Sequence, residues 1–341
     1  MKGIFAILLI SALLIVAGCK SQTGDKTPLS TQAFIGGTSA IKLSYIPNSP
    51  PDEVTDAEFD DSAKIKSNTG FPFEATVTIE NVGESDIEQG KLDVKLSGFY
   101  PQDFQTAATK MTKNIPESGK FRGVNKDPDG NKIRGDIAQV SFPTGATSDD
   151  TRFKYINKLA GNQQFPFKAE TCYPYKTKAL SQVCLLGDFT KKTNLLCSPT
   201  GTRPVSNSGA PVHVTSVSQS VGGRNKAILN FEVKQVGTSD LFINDATKKC
   251  LDDFQVKNRI GVTIRTGVTG LKCLGLLNGA NTGGGTSQYE GELILTDGSA
   301  TFTCIQDYVK DGTDSVKTFD IELEYYARDS ITKNVLVKHL I

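Results

Sequence analysis

The feature that most constrains this chain is a pattern of short runs in which apolar and polar residues alternate. Phe73-Glu-Ala-Thr-Val-Thr-Ile79 alternates with period two, and so does Leu92-Asp-Val-Lys-Leu96. Leu229-Asn-Phe-Glu-Val233 and Phe319-Asp-Ile-Glu-Leu-Glu-Tyr325 behave the same way. A period of two fits a strand with one face on a core and one in water, and no run of comparable length carries the 3.6-residue period of a helix. Asp297-Gly298, set between two such runs, is a hairpin signal. Thirty-two glycines and 14 prolines punctuate the rest. These runs predict an all-β protein.

An internal repeat organises the strands. Val82-Gly-Glu-Ser-Asp-Ile87 recurs as Val236-Gly-Thr-Ser-Asp-Leu241, 154 residues later and again just after an alternating strand. Tyr175-Lys-Thr-Lys-Ala-Leu-Ser-Gln182 can be set against Tyr326-Ala-Arg-Asp-Ser-Ile-Thr-Lys333 at an offset of 151. Both pieces read as hairpin turns between strands. Two matches in the same order predict a duplicated unit. The expected layout is a signal segment (1–18), a flexible tether (19–35), a first β-sandwich (36–197), a linker (198–210) and a second β-sandwich (211–341). The linker is rich in Ser, Gly, Pro and Thr.

The strand ending Glu80-Asn81, followed by Val82-Gly83-Glu84-Ser85 and a second amphipathic strand, resembles the cell-adhesion-related (CARDB-type) immunoglobulin-like domains of exported archaeal and bacterial proteins. The run Gly209-Ala-Pro-Val-His-Val-Thr-Ser-Val217, leading to Phe231 and Val236-Gly237, is similar to the opening of such a domain. Cys172-Tyr-Pro-Tyr-Lys-Thr177 resembles a segment of exported archaeal proteins of this architecture. In the second copy Gln235 stands where Asn81 stands in the first. The resemblance implies two tandem immunoglobulin-like sandwiches, a surface location, and a binding or structural role. It implies no catalytic residue.

The N-terminus reads as an export signal. Lys2 precedes a nearly unbroken apolar run from Ile4 to Val16, which has the length of a signal-peptide core and is short for a membrane span. Val16-Ala-Gly-Cys19 resembles the lipobox of prokaryotic lipoproteins, which implies lipid attachment at Cys19 and a membrane-anchored, extracytoplasmic protein. The same residues also fit an ordinary signal peptide, or a prepilin-like signal cut after Lys2-Gly3. Without Cys19, six of the seven cysteines remain: Cys172, Cys184, Cys197, Cys250, Cys273 and Cys304. An even number in an exported chain predicts three disulfides, among 15 possible pairings, and six reduced buried thiols are the other reading. Local spacing suggests Cys172–Cys184 across a hairpin, Cys273–Cys304 between strands, and Cys197–Cys250 clamping the linker.

Chemistry-bearing motifs are few. Asn125-Lys-Asp127-Pro-Asp129-Gly-Asn-Lys-Ile-Arg-Gly-Asp136 resembles a calcium loop, with oxygens at positions 1, 3, 5 and 12 and glycine at 6. Asn125 and Asp136 depart from that pattern, and a Pro-Asp-Gly surface turn explains the same residues without an ion. The acidic run from Asp52 to Asp61 reads as a solvated loop. Asp149-Asp150 and Asp252-Asp253 invite a glycosidase reading, but neighbours in a strand point to opposite faces. His213 lies in an alternating run and His339 near the C-terminus, and both read as surface residues. Gly283-Gly-Gly285 has no lysine beside it and reads as a loop. Lys and Arg total 38 against 37 Asp and Glu, a balance unsuited to nucleic acid. The expected function is adhesion, binding or envelope support without catalysis, with a protein or cell-envelope partner. A pilus-like or envelope-layer subunit and an exported hydrolase using carboxylates are the alternatives.

Overall fold

The computed structural model describes residues 33–58, 70–188, 190, 193, 195–282, 285–309 and 313–339. Cys19, the signal segment and most of the tether lie outside the described residues, as do Asp60, Asp61, Gly283 and Gly284. The first half of the chain contributes β1 (Ile41–Tyr45), β2 (Glu53–Thr55), β3 (Ala75–Asn81), β4 (Leu92–Ser97), β5 (Thr112–Ile115), β6 (Asn125–Lys126), β7 (Lys132–Ile133), β8 (Ile137–Phe142) and β9 (Gln163–Leu185). Then follow β10 (Gly201–Arg203), β11 (Ser206–Asn207), β12 (Val212–Gly223), β13 (Lys226–Gln235), β14 (Asp240–Ile243) and β15 (Arg259–Arg265). The last five are β16 (Leu271–Leu274), β17 (Leu277–Asn281), β18 (Gln288–Ile294), β19 (Ser299–Asp307) and β20 (Ser315–Lys338). Helix is confined, among the described residues, to 3-10 turns at Pro101–Phe104, Ala108–Met111 and Asp149–Thr151. The protein is all-β.

One large sheet runs β17-β18-β15-β20-β9-β4-β5, with β2 and β14 added on β20 and β11 on β9. Its spine is the antiparallel pair β9 and β20, in register from Gln163↔Val337 to Leu185↔Ser315. At about 3.4 Å per residue each strand is roughly 75 Å long. Odd-numbered side chains of both strands point inward: Phe167, Tyr173, Tyr175 and Val183 on β9, and Phe319, Leu323, Tyr325 and Val335 on β20, are all buried. Two smaller sheets, β1-β3-β8 from the first half and β10-β12-β13-β19-β16 from the second, supply the facing residues. Val77, Ile79, Leu229 and Phe231 join the same continuous apolar core. The linker region carries β10 and β11, which pair with β12 and β9.

The 154-residue repeat is visible in three dimensions. The Val82 and Gly83 amides both donate to Ala40 O, at 2.9 and 3.0 Å; the Val236 and Gly237 amides both donate to Pro211 O, at 2.8 and 3.0 Å. Asn81 Nδ2 donates to Ser85 O at 2.9 Å, and Gln235 Nε2 donates to Ser239 O at 2.7 Å. The residue difference at this position therefore preserves the bond. At the same offset Tyr175 answers to Asp329: Tyr175 Oη accepts from the Ser85 amide, and Asp329 Oδ1 accepts from Ser239 Oγ.

Two expectations need correction. Tyr175–Gln182 and Tyr326–Lys333 are not hairpin turns but the middle of β9 and β20. The 151 offset is odd and would set inward Tyr175 against Tyr326, which packs on the outer face with Phe242 and Val256. The disulfides are Cys172–Cys250, Cys184–Cys197 and Cys273–Cys304. Only the last matches the expected pairing; Cys273 and Cys304 stand directly opposite in β16 and β19. Cys172 and Cys184 lie 12 residues apart on one continuous strand, roughly 40 Å, and cannot meet. Cys172 instead fastens the segment between β14 and β15 onto the outer face of the large sheet.

Candidate functional site

The residues singled out in the sequence do not converge. Asn125 and Asp136 flank the β6–β7 hairpin, whose turn is closed by Asp127 accepting from the Asn131 amide and Nδ2, at 2.7 and 3.0 Å. These bonds hold the Asp127 carboxyl below its usual range. Asp136 is engaged by the Arg122 guanidinium at 3.0 Å, which lowers its pKa likewise. Among the described residues no group of three or more His, Cys, Asp or Glu side chains could hold a metal. Of the calcium-like loop's carboxylates, Asp127 and Asp136 have protein partners.

Asp149 and Asp150 belong to a 3-10 turn rather than a strand and pair with Arg152 and Lys154. Asp252 binds Arg328, which lowers its pKa, while Asp253 caps a turn through the Gln255 amide at 2.8 Å. Neither histidine is a free surface group. His213 Nε2 lies 3.1 Å from Gly37 O, and burial lowers its pKa. His339 Nδ1 lies 2.7 Å from Asp56, whose side chain is fully buried. Asp52 and Glu53 in the acidic run pair with Lys333 and Lys338 at the end of β20.

The site the structure does build is an open strand edge in the first half. In a sandwich every strand edge offers unpaired N–H and C=O groups unless a neighbour takes them. β19 has neighbours on both sides, β13 and β16, whereas its counterpart β8 pairs with β3 alone. The chain that would correspond to β16 is here the pair of 3-10 turns between β4 and β5. They reach the β8 side only beyond the strand, where the Thr144 amide donates to Lys110 O at 2.9 Å.

Register tells which groups are left over. The Asn81 amide donates to Asp136 O at 3.1 Å, so in this antiparallel pair Ala138, Val140 and Phe142 face β3 with their backbone groups. Ile137, Gln139 and Ser141 therefore aim N–H and C=O away from the sheet. Beside them lies a cleft of about 440 Å³ between β8 and β5, whose lining includes Ile115, Pro116, Ala138 and Val140. β8 carries no charged residue, Ile-Ala-Gln-Val-Ser-Phe, and no bulge. β1, the opposite edge of the same sheet, carries Lys42; β17 has a register shift and a left-handed Asn278, and β10 is three residues long. The Lys110 ammonium stands at the mouth, 3.7 Å from where a Cβ on Gly145 would sit. Neither β8 nor Lys110 was marked in the sequence, because alternation identifies a strand and not its neighbours.

Comparisons with known proteins add little to this geometry. No family model matches the chain, and no curated protein matches it. Among solved structures, the secreted serine protease VesC from Vibrio cholerae is 13% identical, with a TM-score of 0.18 over 83% of this chain. The match spans 50% of that protein. A likeness at that level carries no argument about fold or activity. The three disulfides fit an oxidising, extracytoplasmic location.

Proposed function

We propose that this is an exported, lipid-anchored protein of two fused immunoglobulin-like sandwiches that binds a cell-envelope partner without catalysis. The observation that carries the reading is the open edge of β8: six residues, uncharged, paired on one side, with an apolar-lined cleft beside it. A soluble protein that leaves such an edge uncovered exposes a template for another strand. The three disulfides that staple the β-framework support a place outside the cytoplasm, where such bonds form and persist. Lipid at Cys19 and the polar tether would hold this edge at the membrane surface.

Mass spectrometry of the mature N-terminus from membrane-extracted protein tests the anchor. A diacylated Cys19 terminus is expected; a terminus at Ile4 or an unmodified one near residue 19 overturns it. A photoreactive residue at Ile137, in the full chain on intact cells, tests the binding role. Cross-linking to an envelope protein is expected there and not at Val221, which is equally exposed (46% and 45%). Equal yields at both positions would defeat the reading.

A further inference from the structure

Resting on that reading, the geometry around β8 names the chemistry of the occupant. Ile137, Gln139 and Ser141 present outward backbone groups, while Ala138, Val140 and Phe142 line the inner face of the same strand. A strand laid antiparallel to β8 would hydrogen-bond at Ile137, Gln139 and Ser141. Its residues opposite Ala138 and Val140 would turn into the cleft, because paired residues share a face. Its N-terminal end would lie beside Thr144 and Gly145.

Charge completes the picture. Five acidic groups of this half already have cations: Glu74 and Asp149 bind Arg152, Glu80 binds Arg134, Asp136 binds Arg122, and Glu117 binds Lys113. Lys110 has no ion pair among the described residues, and it stands at the end where an added strand would begin. We propose that the open edge of β8 is completed by an extended segment of another protein, added antiparallel, apolar at alternate positions and carrying a carboxylate at its N-terminal end for Lys110. The apolar residues fill the cleft, the backbone supplies affinity, and the Lys110 contact sets direction and register.

The test uses the full chain in detergent and a fluorescent peptide, acetyl-Asp-Val-Thr-Val-Thr-Val-Thr, read by anisotropy. Gln139→Pro deletes an outward N–H and leaves the β3–β8 bonds intact, since proline is tolerated on the open side of an edge strand. Saturable binding is expected, weakened by up to about tenfold in Gln139→Pro, the scale of one lost hydrogen bond. Lys110→Glu should weaken it roughly two- to fivefold, as an exposed ion pair does, and should prefer the same peptide headed by Lys. Hydrogen exchange covers the case in which Gln139→Pro does not fold. The Gln139 and Ser141 amides of the unaltered protein should exchange fast alone and slow when peptide is added, with Val77 and Ile79 slow throughout. No binding, or binding indifferent to both substitutions and to the exchange of those amides, overturns the proposal. A dimer of the unaltered chain in sedimentation, abolished by Gln139→Pro, would overturn it in favour of a second copy as occupant. Cross-linking at Ile137 on cells together with a silent peptide would sink strand addition while leaving the envelope-binding role standing.

Discussion

Gly83 and Gly237 occupy the tightest approaches in the repeated turn. A Cβ on Gly83 would fall 2.1 Å from Tyr175 Oη and 2.6 Å from Gly209 O; on Gly237 it would fall 2.3 Å from Thr38 O and 2.8 Å from the Pro211 side chain. Gly83→Ala is therefore expected to destabilise the protein by roughly 3 kcal/mol, the upper range for overpacking, measured by urea unfolding. Val-Gly-x-Ser-Asp was legible in the sequence because close packing leaves no room for a side chain at its glycine. The partner of that motif was not, because Tyr175 in one half and Asp329 in the other do the corresponding work with unlike chemistry. Asp329 also accepts from Tyr173 Oη at 2.5 Å, and burial is the main reason that its pKa is raised from 3.8. A raised folded pKa means that the native state binds the proton more tightly than the unfolded chain. Its contribution is thus full below the unfolded pKa and is lost as pH rises through the folded value. Melting temperatures of the protein and of Asp329→Asn, scanned from pH 3 to 8, should show the variant gaining on the parent as pH rises. A constant difference would mean that the carboxyl does not titrate in that window.

β9 and β20 show why strands can be read while their extent cannot. Their odd residues are buried without a break from Phe165 to Val183 and from Phe319 to Ala327, yet Pro174 and the polar stretch around Lys176 and Lys178 look like a turn in the sequence. Proline is excluded from a strand only where its missing N–H is needed. β4 pairs with β9 as far as Cys172, and β11 begins at Ala179. Pro174 therefore sits where one edge of β9 has no neighbour. The polar even residues belong to a wet outer face, with Lys176 bridging Glu322 at 3.0 Å across to β20. A second unit 150 residues away determines that pairing, which no local window contains. Amides of β9 between Tyr175 and Ala179 that pair with β20 should accordingly exchange among the slowest in the protein. A turn there would exchange orders of magnitude faster.

Across the whole molecule the cysteines show a similar division. Once Cys19 is set aside, their even number could be read from the sequence, and Cys273–Cys304 followed from neighbouring strands. The other two pairs depend on where the long strand carries each sulfur. Cys172–Cys250 closes 78 residues and ties the first half to the segment that covers the outer face, beside Phe242, Val256 and Tyr326. Cys184–Cys197 closes 13 residues within one local excursion. Loop-closure entropy assigns roughly 4.5 kcal/mol to the larger loop and roughly 3 kcal/mol to the smaller. Replacing Cys172 and Cys250 by Ala should therefore cost more in guanidinium unfolding than replacing Cys184 and Cys197. Its local effect should also differ. The segment carrying Lys248, Lys249 and Lys257 would keep its apolar cluster, the Lys249–Asp93 and Arg328–Asp252 bridges and its backbone bonds to β14, but would lose its covalent tie, so trypsin should cut there first in the doubly substituted protein. If that segment stays resistant while stability falls, packing alone holds it and the disulfide acts on the unfolded chain. If it is cut with little loss of stability, the disulfide is a local fastener, and the long β9–β20 pair carries the joining of the two halves by itself.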